Sequence, residues 1–509
     1  MASAESHVGA AHVTDHTPQS SRIDGALLKV AAAVIAGSIM AILDTTVVTI
    51  ALQSLIVQFH TSFDTIQWVT TAYMLALATV IPATGWAAER FGTKRLYAFA
   101  LTLFLIGSVL AGLAWDIGSM IAFRVLQGLG GGILTPAGMT ILTKEAGPAR
   151  VGRVMSLLGV PMLLGPLAGP ILGGWLVESV SWRWIFYLNV PIGLLALGLT
   201  LRYLPRDGKP ANGTFDLPGM LMLSPGVALL LYGISNIPRS DGVTLGVWVP
   251  AVLGLLLVVS FVMRANRIEH PLLDLGLFRN RRFCVAIATM AVFAVAFFGV
   301  MIVLPTYFLM VRQLGALEAG VQLLPLGLGA VVTMPMAGRL ADRIGPGKVV
   351  VPGLLLISAG LGVFTQVDPS SRYWSMLAPG LFVTGLGVGA TMMPIISSAL
   401  QLLNGPAVAR GSTTANIIQQ AFGAIGSAVM AIVLAAGLAS RFDVPVSQGQ
   451  LVATTALADR EQRASAIGLI SDTFTMTFSC CLGLMVVCLI PACFLWRQPP
   501  GAGHEPVSH

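Results

Sequence analysis

The feature that most constrains this chain is a series of apolar stretches, most of them near 20 residues long, that recur along nearly all of its 509 residues. Since an α-helix rises about 1.5 Å per residue, such a stretch is long enough to cross the ~30 Å hydrocarbon core of a bilayer. The stretches do not alternate over ten residues, as the strands of a membrane barrel would. The sequence therefore predicts an all-α integral membrane protein with 14 transmembrane helices. The predicted spans lie near residues 29–54, 66–88, 96–114, 119–142, 153–176, 184–204, 217–236, 244–264, 284–310, 319–341, 349–367, 374–400, 412–437 and 472–496.

The distribution of charge predicts how these helices are oriented. Only 10% of the residues are charged, whereas a soluble chain of this length carries about a quarter. Lys and Arg between the spans fall far more often on one side of the predicted membrane than on the other. The positive-inside rule assigns that side to the cytoplasm, and an even number of spans returns both termini to it. We expect a multi-pass protein of the cell (plasma) membrane with both termini cytoplasmic, and the net charge of +7 does not indicate nucleic-acid binding.

One short motif occurs twice, 253 positions apart, each time at the cytoplasmic end of a predicted span. Glycine, acid, arginine and glycine recur at identical spacing, and basic residues follow each copy. A repeat of this kind indicates two structurally related halves. The two copies read Gly85-Trp-Ala-Ala-Glu89-Arg90-Phe-Gly92-Thr-Lys94-Arg95 and Gly338-Arg-Leu-Ala-Asp342-Arg343-Ile-Gly345-Pro-Gly-Lys348.

The spacing of the two copies predicts the internal plan of the chain. They follow the second and the tenth predicted spans, whereas two adjoining bundles of six would place them six spans apart. Two helices must therefore be inserted between two pseudo-symmetric six-helix bundles, a 6 + 2 + 6 arrangement. The expected parts are a disordered cytoplasmic tail (1–24), an N-terminal six-helix bundle (25–204), two inserted helices with cytoplasmic linkers (205–282), a C-terminal six-helix bundle (283–497) and a cytoplasmic tail (498–509).

The repeated motif also suggests a cytoplasmic gate. Gly85 and Gly338 would let adjacent helices approach closely where each span meets the cytoplasm. Glu89 or Asp342 would then pair with a basic residue across the interface and cap a helix N-terminus, which would hold the cytoplasmic side closed. The alternative is that the basic residues of the motif serve orientation alone. Orientation, however, needs neither the acids nor the glycines.

Two ionisable side chains, Asp44 and Arg124, lie more than about one turn inside the predicted spans. A charge at the centre of an isolated membrane helix costs ~2.5–3.5 kcal/mol, so both residues are expected to have a specific role. At about 1.5 Å per residue, both lie ~22 Å from the cytoplasmic edge, at the same level. One interpretation is a static ion pair that joins two helices. The other is a proton site, in which movement of Arg124 or arrival of a cation loads or unloads Asp44.

Five motifs, in order along the chain, resemble the fourteen-helix drug:proton antiporter family of the major facilitator superfamily (EmrB/QacA type). The resemblance covers about residues 25–497. It implies the major facilitator fold and efflux driven by the proton gradient, with no cofactor. The motifs are the repeated loop motif, Leu43–Leu52, Arg124-Val-Leu-Gln127-Gly128, Gly159-x5-Gly165-Pro166-x2-Gly169-Pro170-x2-Gly173-Gly174, and Trp182-Arg183-Trp184-Ile185-Phe186 with Asn189-Val190-Pro191.

The fifth predicted span is dense in glycine and proline, which kink a helix and permit close packing against a partner from the other half. The resemblance implies that this antiporter helix forms a seal that favours antiport. Tight packing alone would explain the same pattern. The positions concerned are Gly159, Gly165, Pro166, Gly169, Pro170, Gly173 and Gly174.

Candidate substrate contacts are aromatic, methionine and amide side chains in the predicted spans. Methionine and aromatic residues line adaptable apolar pockets but also serve ordinary packing. Amides on an apolar helix need partners, which are either a substrate or neighbouring helices. The candidates are Trp68, Tyr73, Gln127, Met392, Asn416, Gln419 and Gln420.

Two departures from the family pattern bear on these expectations. The first loop motif carries Glu89 where aspartate is usual. The thirteenth span carries amides but no carboxylate. Because relatives that export divalent organic cations tend to have extra acids there, the resemblance argues against divalent cargo.

Together these features predict a secondary exporter that works by alternating access. Its expected partners are small hydrophobic drugs or dyes, neutral or monocationic, together with protons and membrane lipid. We expect no ATP site, because Asp342 and Val349 break the phosphate-loop pattern around Lys348. We also expect no metal centre and no enzymatic activity. The alternatives are export of an endogenous amphiphile, such as a lipid or siderophore, and a membrane sensor without transport.

Overall fold

The computed structural model describes residues 24–207, 216–236, 245–268, 271–403, 405, 407–459 and 463–496. Within these ranges the chain forms helices joined by short loops, and no strand. The expected tail 498–509, residues 1–23 of the expected tail 1–24 and residues 208–215 of the expected linker lie outside the described residues.

The long helices are numbered here in chain order, and a helix with a short internal break counts as one. The first six are α1 Gly25–Phe59, α2 Trp68–Phe91, α3 Thr93–Gly112, α4 Ile117–Ala146, α5 Val151–Ser179 and α6 Arg183–Tyr203. The others are α7 Leu217–Asn236, α8 Leu245–Ala265, α9 Arg281–Met310, α10 Leu317–Ile344, α11 Gly347–Phe364, α12 Tyr373–Leu400, α13 Ala407–Phe442 and α14 Arg463–Trp496. A shorter helix, Val446–Ala458, lies between α13 and α14.

Thirteen helices in the described ranges are long and apolar enough to cross a membrane. Of the fourteen numbered helices, the one outside these thirteen is α5, which is 29 residues long. The prediction of an all-α membrane protein is therefore confirmed, whereas the count of 14 spans stays a prediction.

Local capping chemistry sets where several of these helices begin and end. Asp24 at the start of α1 and Asp116 at the start of α4 each accept a hydrogen bond from a first-turn amide, at 2.9 and 2.6 Å. Such side chains satisfy amides that have no partner inside the helix. Gly92 and Gly345 follow the ends of α2 and α10 with φ angles of 88° and 95°, which glycine adopts without strain. Both copies of the repeated motif thus end in the same kind of turn.

The first six helices and the last six pack in the same pattern. In the first set α1 contacts α4, α5 and α6, α4 contacts α2 and α3, and α3 contacts α6. In the second set α9 contacts α12, α13 and α14, α12 contacts α10 and α11, and α11 contacts α14. Each pairing recurs eight helices later, as expected of a structural repeat. We call α1–α6 the N half and α9–α14 the C half.

The two halves meet mainly through α5 and α13. Helix α5 contacts α10 and α12, and α13 contacts α2 and α4, so the interface follows the same repeat. Helices α7 and α8 pack on each other, and α7 also lies against α2 and α13, beside this interface. The boundaries expected for the parts of the chain stay a prediction.

Candidate functional site

A buried ion pair lies inside the N half. Arg124 on α4 places Nη1 2.6 Å from Oδ2 of Asp44 on α1, and each residue is 1% exposed. The two side chains therefore meet at one depth, as the rise of their helices requires. Because water is excluded, each charge depends on its immediate partners for stabilisation.

Within the described residues, the Asp44 carboxylate accepts every one of its hydrogen bonds and donates none. Oδ1 accepts from Nε2 of Gln127 at 2.8 Å and from Nδ2 of Asn189 at 2.9 Å, while Oδ2 accepts from Arg124. A neutral carboxyl group carries a proton on one oxygen and donates there instead of accepting. The arrangement thus matches the ionised form of Asp44, and uptake of a proton requires one of these contacts to rearrange.

The guanidinium group of Arg124 is held by three helices. Its Nη1 also donates to Oε1 of Gln127 at 2.6 Å, and its Nε donates to the carbonyl oxygen of Val69 on α2 at 3.2 Å. Its Cζ atom lies 4.0 Å from the ring centre of Tyr73, in a cation–π contact. With Asn189 from α6, the network joins α1, α2, α4 and α6.

Helix α5 packs on α1 beside this network. A Cβ atom at Gly165 would meet Ile42, and one at Gly169 would meet Thr46, whose Oγ1 donates to the carbonyl oxygen of Gly165 at 3.4 Å. These two glycines therefore face α1 of the same half. The sequence predicts that they contact the other half. They contact α1 instead, because residues four apart share one face of a helix and α1 occupies that face of α5.

The N-terminal part of α5 does contact the other half. A Cβ atom at Gly159 would lie 2.7 Å from methionine side chains of α10 and α12. Gly173 is buried, and no atom lies within 4 Å of the Cβ position at Gly174. The side chains of Pro166 and Pro170 lie outside the described residues. Different glycines of α5 thus serve different neighbours.

An ion pair joins the two halves at the end of the molecule that carries the repeated motif. Nε and Nη2 of Arg410, near the start of α13, donate to the two carboxylate oxygens of Glu89, near the end of α2, at 2.9 and 3.0 Å. A contact with two parallel hydrogen bonds fixes orientation as well as distance. Asp274, which precedes α9, places Oδ2 4.0 Å from Nη1 of the same arginine. We call the Glu89–Arg410 contact the first latch.

The second copy of the motif also forms an ion pair between the halves, with Nε of Arg153 on α5 lying 3.3 Å from Oδ2 of Asp342. Asp342, near the end of α10, accepts hydrogen bonds from the backbone N of Gly152 and of Arg153 at the start of α5, at 2.9 and 3.2 Å. Gln401 donates to the same carboxylate at 3.1 Å. A carboxylate is favourable at a helix N-terminus because the amides there lack partners and the helix dipole is positive. We call the Asp342–α5 contact the second latch.

The glycines that open the motif permit this close approach. A Cβ atom at Gly338 would lie 2.5 Å from a backbone carbonyl of α5, and one at Gly85 would lie 3.1 Å from Oγ1 of Thr413. Between the halves, the hydroxyl oxygens of Thr140 on α4 and Ser412 on α13 are 2.5 Å apart. The ends of the halves that carry the repeated motif are therefore in direct contact. A cavity of about 580 Å³ lies beside them, lined by residues of α2, α4 and α13 and of the segment after α6.

The remainder of the first motif copy acts within the N half. Asp207, after α6, accepts hydrogen bonds from the backbone N of Lys94 and of Arg95 at the start of α3, at 2.9 and 3.1 Å. Nζ of Lys94 donates to two carbonyl groups at the end of α6, both at 2.8 Å. A Cβ atom at Gly92 would overlap the side chain of Asp207. These contacts tie α3 to α6 and do not join the halves.

The other basic residues of the motif lie at the protein surface. Arg90 and Arg95 of the first copy and Arg343 and Lys348 of the second are exposed. Gly345 supplies the turn between α10 and α11. This exposure of basic residues at the ends of α2 and α10 agrees with the role in orientation that was considered for them.

The predicted substrate contacts fall into different environments. Tyr73 and Gln127 belong to the buried network and are at most 1% exposed. Trp68 is 43% exposed and stacks on Tyr232 of α7, with ring centres 6.1 Å apart. Met392 is buried in the core of the C half. The structure does not bring these four residues together, and their contact with substrate stays a prediction.

The three candidate amides on α13 lie close to the interface. Asn416 and Gln419 are 4% and 8% exposed, and Gln420 is partly buried. They follow, by about one to two turns, the part of α13 where Thr413 meets α2. In the part of the chain that the structure describes, their side chains form no hydrogen bond. These amides therefore keep donors and acceptors available for a bound molecule.

The C half has an aromatic residue where the N half has its carboxylate. The offset between the two motif copies relates Asp44 to Phe297, which is 5% exposed and stacks on Phe293 with ring centres 5.5 Å apart. The two halves thus share their helix packing but carry different side-chain chemistry at this position. The charged position of this pair belongs to the N half.

The chemistry of the site is ionic and based on hydrogen bonds. Across the described ranges, no three His, Cys, Asp or Glu side chains cluster so as to hold a metal ion. The buried network offers one carboxylate, one guanidinium and two amides. These groups can hold or release a proton, and the carboxylate can attract a cation.

Several partners in these contacts were missed from the sequence. Asn189 is a buried amide in a span, and a search for polar as well as charged residues in the spans would have found it. Asp207 and Arg410 lie outside the motif copies, so only their charge and cytoplasmic position distinguished them. Ser108, which accepts a hydrogen bond from Asn189 at 3.0 Å, carried no signal at all.

Comparisons with known proteins agree with this architecture. The Major Facilitator Superfamily model matches residues 34–431. Over 502 residues the chain is 41% identical to the "Multidrug resistance protein B homolog" of Mycobacterium tuberculosis, with 96% of this chain and 93% of that protein covered. It is 31% identical over 436 residues to the "Tetracenomycin C resistance and export protein" of Streptomyces glaucescens, covering 84% and 79% of the two chains. The solved structure of the human organic anion transporter MFSD10 (TETRAN) is similar in fold, with a TM-score of 0.57, 16% identity and coverage of 90% and 99%.

Proposed function

Because this chain belongs to the major facilitator superfamily, we propose that it is a proton-coupled multidrug efflux transporter that exports hydrophobic neutral or monocationic compounds by alternating access. Its relatives include proteins named for multidrug resistance and for export, and the chain is a membrane transporter of this multidrug type. Proton coupling and the class of cargo are the proposed part.

The buried Asp44–Arg124 pair is the observation that carries the proposal of proton coupling. Asp44 accepts hydrogen bonds from three donors and is 1% exposed, so its charge is balanced only by its neighbours. A proton on Asp44 removes the need for Arg124 at that place and frees the arginine to rearrange. Ionisable residues buried in a membrane domain commonly mark proton relays, which supports this assignment.

The contacts between the halves support alternating access. In this arrangement the cytoplasmic ends are held together by the two latches, and opening to the cytoplasm requires both to separate. We propose that the N half and the C half rock against each other around a central cavity, with the α7–α8 pair at its edge. The termini and the exposed basic residues of the motif lie on the cytoplasmic side of the plasma membrane in this proposal.

One proton per cycle is sufficient to drive useful export without ATP. An elementary charge that crosses a potential of 100 mV supplies ~2.3 kcal/mol. Since 1.4 kcal/mol corresponds to a factor of ten, this energy sustains a concentration gradient of roughly 50-fold. The proton gradient is therefore an adequate energy source for the proposed exchange.

The cargo proposed is apolar and carries at most one positive charge. The amides of Asn416, Gln419 and Gln420 provide hydrogen bonds near the interface, and α13 contains no Asp or Glu. A second fixed positive charge on the cargo would therefore find no carboxylate on this helix. A single positive charge on the cargo is served by the ionised form of Asp44, the form that accepts hydrogen bonds from three donors.

The proposal is tested by dye transport in proteoliposomes with an imposed pH gradient, comparing the wild type with Asp44→Asn. Asparagine is close in shape to aspartate but has no titratable group, so we expect loss of transport driven by the pH gradient. Because Arg124 then lacks its counter-charge, the variant is compared below its own unfolding temperature. Ethidium, a monocation, is the first dye, and the dicationic propidium is the second. The wild type is expected to transport ethidium well and propidium poorly.

Asp116→Asn is the matched control for this experiment. Asp116 is also an aspartate of the N half, but it is an exposed N-cap, a position where asparagine serves equally well. The control should transport like the wild type. Transport by Asp44→Asn that still follows the pH gradient would remove Asp44 from the mechanism, and efficient propidium transport would refute the proposed limit on cargo charge.

A further inference from the structure

We propose that Asn189, held by Ser108, is a positioning residue that directs the coupling proton to the Asp44 oxygen facing Arg124 and sets the pH at which that proton is exchanged. This inference rests on the proposed function of Asp44. It assigns a role to an amide on α6 and a hydroxyl on α3, neither of which carries charge.

The orientation of the Asn189 amide follows from hydrogen-bond accounting. Ser108 Oγ donates its single proton to the carbonyl oxygen of Phe186 at 2.8 Å, so toward Asn189 it must accept. Only the NH₂ side of the amide can donate, which fixes Nδ2 toward Ser108 at 3.0 Å and toward Asp44 Oδ1 at 2.9 Å. Both hydrogens on Nδ2 are therefore used, and the amide cannot turn without losing both contacts.

The backbone around Asn189 holds this amide in place. Helix α6 is interrupted at Leu188, and Asn189 begins its second segment. Pro191 falls in the first turn of that segment, where the absence of an N–H group costs little. Close packing supports the break, since a Cβ atom at Gly112 of α3 would lie 2.5 Å from the ring of Tyr187. The amide is thus anchored by α3 and α6 together.

The two carboxylate oxygens of Asp44 are not equivalent as proton acceptors. Oδ1 accepts from the amides of Asn189 and Gln127, and a proton there would face two donors. Oδ2 accepts from Arg124, which keeps other contacts to Gln127 and Val69 when it leaves Asp44. A proton on Oδ2 therefore displaces the arginine and leaves the amide contacts intact. Asn189 in this way links protonation to the release of α4 from α1.

Other charged or titratable groups that face Asp44 are alternative causes of a change in the pH at which its proton is exchanged, and they are few among the described residues. Arg124 from α4 carries the facing charge, and Tyr73 from α2, whose hydroxyl has no partner within the described residues, is the facing titratable group. From α5, Gly165 and Gly169 contact Ile42 and Thr46 of α1, which lie two residues before and after Asp44 and so on a different face of that helix. From α6, the side chain that reaches Asp44 is Asn189 itself.

The test is an infrared titration of the purified protein in lipid, which follows the carbonyl band of a protonated carboxyl group. The band assigned to Asp44 is the one that Asp44→Asn removes. Asn189→Ala should move the midpoint of that band to higher pH by about one unit, the size expected for loss of one hydrogen bond to a charged group. Ser108→Ala should cause a smaller shift in the same direction, and Ser108→Thr, which keeps the hydroxyl, should cause none.

Thr200→Val is the control for a general disturbance of α6. Thr200 is a buried residue of the same helix, and its side-chain hydroxyl has no partner in the described part of the chain. The inference is overturned if Asn189→Ala and Ser108→Ala leave the midpoint at its wild-type value, or if Thr200→Val shifts it equally. If no titrating band disappears in Asp44→Asn, the proposed function itself fails. Should Asn189→Ala not fold, the Ser108 pair still decides the matter.

Discussion

At the scale of single residues, the buried network balances the free-energy cost of burying two charges against the stabilisation that each charge gains from its partners. Each charge would cost ~2.5–3.5 kcal/mol on an isolated helix in the membrane. Asp44 and Arg124 offset this cost only because each is the other's partner and because Gln127 and Asn189 complete the hydrogen bonds. Removing one charge leaves the other buried without a counter-charge, which is far more destabilising than removing both.

This balance predicts that Arg124→Met is much less stable than the wild type, by about 3–5 kcal/mol. The double substitution Asp44→Asn with Arg124→Met should recover much of that loss, because no unpaired charge remains. Thermal unfolding of the purified proteins in the same detergent measures both effects. A double variant as unstable as Arg124→Met alone would show that Arg124 stabilises the fold by packing and not by charge.

At the scale of helices, small residues determine which elements can meet. Helix α5 turns Gly165 and Gly169 toward α1 and Gly159 toward the C half, so one helix serves both the proton site and the interface. Gly338 on α10 lies against the first turn of α5, where Asp342 accepts its hydrogen bonds. A movement of α5 at the second latch is therefore transmitted to the helix that carries Asp44.

The close contact at Gly338 predicts that Gly338→Ala weakens the second latch. Its new methyl group would meet a backbone carbonyl at 2.5 Å, so α10 and α5 must separate and the cytoplasmic side should open more often. Modification of single cysteines introduced on the cytoplasmic side of the interface measures this opening. Gly320→Ala on the same helix is the control, since no atom lies within 4 Å of its Cβ position. Equal labelling of both variants would contradict a latch at Gly338.

The helices were predictable from sequence to a greater extent than their contacts. Long apolar stretches identify membrane helices because the backbone must satisfy its own hydrogen bonds in lipid. The shared depth of Asp44 and Arg124 followed from the constant rise of an α-helix. The contacts of Asn189 and Asp207 could not be found in this way, because the two residues lie at a helix break and in a linker, where no periodicity relates position to depth. The direction that Gly165 faces depends on which neighbour fills the groove, which sequence alone does not encode.

At the scale of the whole molecule, the two latches are related by the repeat, and each contains an ion pair between an arginine and an acid, but they differ in exposure and in their additional hydrogen bonds. The first is an ion pair between partly exposed side chains, 9% for Glu89 and 26% for Arg410. The second pairs Asp342 with Arg153, whose side chains are 1% and 11% exposed, and adds two hydrogen bonds from the backbone at the N-terminus of α5. Because exposed ion pairs contribute little and are screened by salt, the first latch is the one that ionic conditions modulate.

Weakening the first latch should therefore shift the equilibrium between the two orientations of the halves. We expect Glu89→Gln to raise the ratio of cytoplasm-open to cytoplasm-closed molecules a few-fold, in keeping with an ion pair worth at most about 1 kcal/mol. Distances between spin labels on the cytoplasmic ends of the two halves measure this ratio. Asp368→Asn, an exposed acid in the loop between α11 and α12, should leave the ratio unchanged. High salt should move the wild type toward Glu89→Gln, and a ratio unaffected by either change would exclude an energetic role for the ion pair.

Phe297 lies at the position of the C half that corresponds to Asp44 in the N half, which implies that the two halves have different roles. Under the proposed mechanism the N half responds to the proton gradient, while the matching position of the C half holds Phe297, which stacks on Phe293. Mutational drift in the C half can then alter which compounds are recognised without disturbing the response to protons. A transporter built in this way can broaden its range of toxic compounds while its energy source stays the same.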